Sequence, residues 1–109
     1  MSQSDEVLES SGNVFADLEV DEPEEMLAKA ELARRIGNII KRRRLNQAQA
    51  ATLLGIDQPK VSALLRGKLA GFSTDRLLRF LMALDRDVEI VIKRKPRSRK
   101  HGELRVVVT

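Results

Sequence analysis

The sequence predicts a mainly α-helical domain, a helix-turn-helix bundle of a few short helices, with a short C-terminal β extension. Two short runs with helical spacing of apolar residues lie between Leu45 and Gly67, separated by a turn signal. Longer helical patterns flank this pair on both sides. After Asp85 the pattern changes to alternation of apolar and polar residues, which is typical of strands.

Capping residues define the two helices of the central motif. Asn46 and Gln49 form a capping-box pattern at the start of the first helix, and Gly55 stands where that helix would end in a left-handed residue. Asp57 caps the second helix, whose first turn tolerates Pro59. The apolar positions expected to face a core are Ala50, Ala51, Leu53, Leu54, Val61, Leu64 and Leu65.

Two further helices complete the bundle over residues 21–85. The first begins at Asp21 and continues to about Arg43, and the last begins after a cap at Ser73 and continues to about Leu84. The first carries an apolar stripe made of Met26, Ala30, Leu32, Ala33, Ile36, Gly37, Ile39 and Ile40. The last turns its own apolar residues inward, namely Leu77, Leu78, Phe80, Leu81 and Leu84, and is expected to leave Arg76 and Arg79 outside.

Residues 86–109 are predicted to form two strands joined by a basic loop over residues 94–102. The alternating apolar residues are Val88, Ile90 and Ile92 in the first strand and Leu104, Val106 and Val108 in the second. Two strands alone are marginally stable in water, so we expect them to pair with a second subunit in a homodimer. The alternative is that the two strands pair with each other within one chain and pack as a hairpin on the helical bundle.

The charge is divided sharply along the chain. Residues 1–31 contain ten acidic residues and one Lys, a local net charge of −9, whereas residues 32–109 contain nineteen basic and six acidic residues, a local net charge of +13. A basic body suits a polyanion, and an acidic arm suits a basic partner. The alternative is a solvated surface on which the signs happen to segregate.

The second helix of the motif has the side chains of a DNA reader. A helix-turn-helix lays this helix in the major groove, and no acidic residue follows its cap at Asp57. Gln58 is the expected base reader, because an amide can pair in two places with adenine. Lys60 should reach guanine or phosphate, with Ser62 and Ala63 close enough for secondary contacts. The expected phosphate anchors are Arg66 and Lys68. Arg43, at the basic end of the long helix that precedes the motif, is a further expected phosphate contact.

Two of these assignments have structural alternatives. The same caps and apolar spacing would suit an ordinary helical hairpin within a bundle. Likewise, a basic helix end satisfies the helix dipole without any DNA, so Arg43 has a purely structural interpretation as well.

At NQAQAATLLGIDQPKVSALLRGK the sequence resembles the lambda-repressor-like (XRE) family. The flanking runs NVFADLEV, EEMLAKAEL, GFSTDRLLRFLMAL and DVEIVIKRKPRS resemble its HigA-like antitoxin branch, so that the resemblance covers roughly residues 13–100. It implies a double-stranded DNA operator as ligand and a phosphate bound by Gln47, through its side chain or the adjacent amides. Related repressors often have a polar residue where this sequence has Pro59. Because proline has no polar side-chain group to pair with adenine, the expected contact at this position is with a thymine methyl.

The same resemblance implies an antitoxin that represses its own operon and neutralises a small basic RNA-cleaving toxin. Residues 1–20 are expected to be a disordered acidic arm, and its apolar cluster of Val14, Phe15 and Leu18 is a candidate docking motif for such a partner. Alternatively, the cluster staples onto the protein's own first helix. Two other functions stay open: a stand-alone or phage-type regulator without a toxin, and a protein-interaction module that has lost DNA binding.

The sequence holds no catalytic grouping, so we expect a protein that is not an enzyme and needs no cofactor. His101 is the only histidine and lies in a polar loop, where solvation is a better explanation than metal ligation. The chain has no cysteine, no apolar stretch of membrane length and an acidic rather than basic amino terminus. These features favour a cytoplasmic protein without a membrane partner.

Overall fold

The computed structural model describes residues 22–109, and these form four helices. Helix α1 spans Glu22–Arg42, α2 spans Gln47–Leu54, α3 spans Gln58–Leu65 and α4 spans Thr74–Ala83. The predictions for the acidic arm, for the cluster of Val14, Phe15 and Leu18 and for the cap at Asp21 lie outside the described residues.

The core lies among the four helices: α1 packs against α4 and α3, and α2 packs against α3 and, less extensively, against α4. Its largest fully buried side chains are Ile36, Ile39, Val61, Leu64, Leu77 and Leu84. Each of these contributes about 1.5–3 kcal/mol relative to an exposed side chain. Phe72, in the loop before α4, closes one side of the core, its ring edge-on to that of Phe80 at 6.0 Å between centroids.

The predicted caps are confirmed. The amide of Gln49 donates to Asn46 Oδ1 at 2.7 Å, and the amide of Asn46 donates to Gln49 Oε1 at 2.9 Å, which completes the capping box of α2. Gly55 ends α2 with φ 73°, a left-handed conformation that glycine adopts without strain. Asp57 Oδ1 accepts from the amide of Lys60 at 2.9 Å at the start of α3.

The predicted apolar faces were too wide. Met26 is 62% exposed and Ala30 is also exposed, whereas Ala28, between them in the sequence, is buried. Leu53 and Leu65 lie at the edges of their helical faces, 38% and 41% exposed. A three- or four-residue spacing identifies the side of a helix that meets the core, but it does not show how far along the helix that contact extends.

Arg76 does not point away from the protein as the sequence predicted. It is half-buried, with its guanidinium 5.6 Å from the ring centroids of both Phe72 and Phe80. Arg guanidinium groups are attracted to aromatic faces at this separation. The cation therefore helps to hold the loop before α4 against the helix.

The prediction of a β extension was wrong for the single chain, because residues 86–109 contain no strand. Val88 and Val106 pack against the core, but Ile90 is 77% exposed and Ile92 is 92% exposed. A strand needs a second backbone as hydrogen-bond partner, and alternation of side chains indicates only two faces. Within this chain the two alternating segments do not supply one another with that partner.

Helix α1 ends at a residue type that is unusual for the position. Arg44 has φ 58°, and the amide of the following Leu45 donates back to Ile40 O at 3.1 Å. This geometry is that of a left-handed helix terminus, where glycine is usual. A side chain at a left-handed position costs about 1–2 kcal/mol.

We expect Arg44→Gly to raise the free energy of unfolding, by about 1 kcal/mol or less once the extra chain entropy of glycine is subtracted. Arg34→Gly, at an exposed position inside the same helix, should instead lower it by about 1 kcal/mol. Urea denaturation of both variants measures the difference. Destabilisation by both substitutions would show that the left-handed turn carries no strain.

Candidate nucleic-acid interface

Helix α3 presents its polar side to solvent because its apolar side is fixed in the core. Val61 is 0% exposed and Leu64 is 1% exposed, so the helix cannot rotate without removing one of them from the core. Gln58, Pro59 and Lys60 are all exposed at its first turn. These three neighbouring side chains therefore project from one end of a rigidly held helix.

The other end of α3 carries the predicted cations. Arg66 forms the C-cap and is exposed, and Gly67 then turns the chain with φ 77°. The amide of Lys68 donates back to Ala63 O at 2.9 Å, which holds this exposed lysine beside the last turn of the helix. The turn thus brings Arg66 and Lys68 to the same end of α3.

Ser62 and Ala63 are less accessible than the sequence suggested. Both are half-buried, and Ala63 packs against the core. Neither can therefore present its whole side chain to a ligand. Polar contact from α3 depends mainly on its two ends.

The amino end of α2 offers backbone donors beside α3. The capping box uses the amide of Gln49, while the amides of Gln47 and Ala48 belong to the first helical turn, where groups have no acceptor within the helix. The Gln47 side chain is exposed at the first position of the helix. Amides at a helix start, together with the positive end of the dipole, suit an oxygen of a phosphate.

Arg43 is engaged within the protein. Its Nη1 donates to Leu84 O at 3.4 Å and lies 3.8 Å from Asp85 Oδ2. The side chain thus satisfies a carbonyl at the end of α4. Arg42 and Arg44, on either side of it, are exposed. No pattern in the sequence indicated the contact, because it joins residues 41 positions apart.

The described residues contain no other candidate site of the classes considered from the sequence. Among residues 22–109, no group of three or more His, Cys, Asp or Glu side chains is placed to hold a metal ion. Within the same range, none of the helices combines the length and the apolar character needed to cross a membrane.

Comparisons with known proteins agree with this geometry. A family model described as a helix-turn-helix domain matches residues 14–93. A solved structure named as an XRE family transcriptional regulator is similar to this chain with 53% sequence identity and a TM-score of 0.78. The match covers 82% of this chain and 100% of that one. Among curated proteins, no match was found.

Proposed function

The chain belongs to the XRE helix-turn-helix family of DNA-binding regulators, and we propose that it is a sequence-specific repressor that reads its operator through α3. One observation carries the proposal: Val61 and Leu64 are buried, which leaves the polar side of α3 outward with no carboxylate after the cap. A carboxylate there would repel the phosphates, whereas amide and cationic groups suit bases and backbone. The proposed role is non-catalytic.

The two ends of α3 take different parts in this proposal. Gln58 pairs with adenine, Pro59 contacts a thymine methyl and Lys60 reaches guanine or phosphate. Arg66 and Lys68, held together by the turn after α3, bind phosphates and set the position of the helix along the duplex. The first end therefore supplies sequence discrimination, and the second supplies affinity that does not depend on sequence.

The test uses a duplex from upstream of the gene and a scrambled duplex of equal length. Gln58→Ala should weaken binding to the first by about 1–3 kcal/mol and leave the second unchanged. Arg66→Ala should weaken both and reduce the slope of log affinity against log salt by about one. The exposed Arg79→Ala on α4 is the control. Equal affinity of the wild-type chain for both duplexes would contradict sequence-specific binding.

We further propose that a phosphate lies at the start of α2. Gln47 occupies the first helical position, and Asn46 before it is extended, with φ −82° and ψ 176°, so proline fits there without strain. Gln47→Pro should keep the fold but weaken binding to both duplexes, because it removes a backbone donor. Gln47→Ala keeps the donor and removes only the side chain. If only Gln47→Ala weakens binding in a fluorescence-anisotropy titration, the side chain is the contact.

A homodimer is also part of the proposal, with the two alternating segments of residues 86–109, on either side of the basic loop, as its interface. Helix-turn-helix readers commonly place two recognition helices one turn of DNA apart. The segment is anchored by Val88 and Val106 yet leaves Ile90 and Ile92 exposed on backbone without ladder hydrogen bonds. A second copy would supply both the missing hydrogen bonds and apolar cover.

We expect Ile90→Lys and Ile92→Lys, made together in the full chain, to shift sedimentation from dimer to monomer. The physical reason is that both side chains would carry charge into the proposed interface. The control is Met82→Lys, which places a charge at an apolar residue of α4 that is 52% exposed and should leave the dimer intact. If Met82→Lys gave a monomer and the double Ile90 and Ile92 variant stayed dimeric, the interface would lie on the helices instead.

The antitoxin role is a finer proposal, and it rests on the resemblance of the flanking segments and on the acidic arm. The expected partner is a small basic RNA-cleaving toxin that contacts the cluster of Val14, Phe15 and Leu18. A reading frame for such a protein beside this gene, whose product co-purifies with the wild-type chain and less with Phe15→Ala, would support it. A neighbourhood without one favours the stand-alone regulator.

A further inference from the structure

The basic loop, residues 94–102, is a charged surface outside the proposed DNA interface. Five of its nine residues are Lys or Arg and none is acidic. Its turn is held by the amide of Arg99 donating to Pro96 O at 3.3 Å and by Lys95 Nζ donating to Arg99 O at 2.7 Å. Arg94, Arg97 and Lys100 are exposed. The loop therefore presents several cations on an internally bonded turn.

The loop is anchored at the amino end of α1. Immediately after it, the amide of Leu104 donates to Glu24 Oε1 at 3.4 Å. Along α1, Glu24 lies about 27 Å from Arg42, where the chain turns toward α2, at a rise of about 1.5 Å per residue. The anchor of the loop is thus at the opposite end of α1 from the start of α2.

Residues 1–21 join the described chain beside this anchor. They contain six acidic residues and no Lys or Arg. They are covalently attached to Glu22, at the same end of α1 as Leu104. A short tether of this kind gives a local concentration in the millimolar range. Single exposed ion pairs are weak, but several held at such a concentration act together.

We propose that residues 1–21 dock on the basic loop of their own chain. The loop is an intramolecular binding site for an acidic peptide, and the tether and opposite charge together select its occupant. A basic protein partner of the arm would have to displace the loop. The proposal depends neither on DNA binding nor on the antitoxin role.

The experiment uses the absence of cysteine from the chain. Ser11→Cys in the full chain gives a unique site for a nitroxide label, and the label broadens the NMR signals of nearby amides. We expect broadening of residues 94–102 at low salt that is largely lost at about 0.5 M salt, where the Debye length is on the order of 4 Å. The broadening must be compared between low and high salt, because the attachment of the arm at Glu22 brings the label near the loop even without docking.

Matched charge variants sharpen the test. Arg94→Gln, Arg97→Gln and Lys100→Gln together remove three cations but keep Lys95 and Arg99, which hold the turn. This triple variant should lose the salt-dependent broadening. The control variant removes three exposed cations elsewhere, through Arg42→Gln, Arg79→Gln and Arg86→Gln, and should retain it.

Each other outcome overturns the proposal. Broadening that neither salt nor the loop variant changes would reflect proximity alone. Broadening at residues 58–68 would place the arm on the DNA-contacting surface, and salt-resistant broadening around Met26 and Leu27 would indicate an apolar staple. Broadening in a mixture of labelled chains with separate isotope-enriched chains would show docking between copies. No broadening would mean that the arm stays away from the loop.

Discussion

The rotational setting of α3 is the constraint on which the proposed interface depends. Val61 and Leu64, three residues apart, are both buried where α3 packs against α2 and α1. Burial of each is worth about 1.5–3 kcal/mol, and a turn of the helix by one residue would exchange these contacts for Lys60 or Ser62. The core therefore fixes which side chains of α3 face outward, and no polar contact is needed to orient them.

Features that depend on neighbours in sequence were predictable, and features that depend on distant parts of the chain were not. The capping box of Asn46 and Gln49 and the turn at Gly55 involve residues within a few positions, so their pattern contains the whole interaction. The contact of Arg43 with the Leu84 carbonyl joins residues 41 positions apart, so it requires the helices to be assembled first. This cation consequently looks free in the sequence and is engaged in the structure.

The extension after α4 shows a different limit of sequence patterns. Alternation predicted that Val88, Ile90 and Ile92 share one side, but of these three only Val88 packs against the core. It could not indicate a hydrogen-bond partner, because the partner of a strand is another backbone and leaves no trace in the strand's own side chains. Ile90 and Ile92 thus stay exposed in the single chain, and the pattern predicts a strand only if something else completes the ladder.

Net charge alone also conceals how the electrostatic surface is organised. The excess of cations after residue 31 falls partly at the carboxyl end of α1 and around α3, and partly on the basic loop, which is anchored at the amino end of α1. Glu24 and Arg42 lie about 27 Å apart along α1, more than the Debye length of about 8 Å at physiological salt, so exposed charges at the two ends of this helix hardly influence each other. A duplex offers the first site a dense row of phosphates, whereas the second lies beside a tethered row of carboxylates. Placement on the fold, rather than total charge, determines which polyanion each site meets.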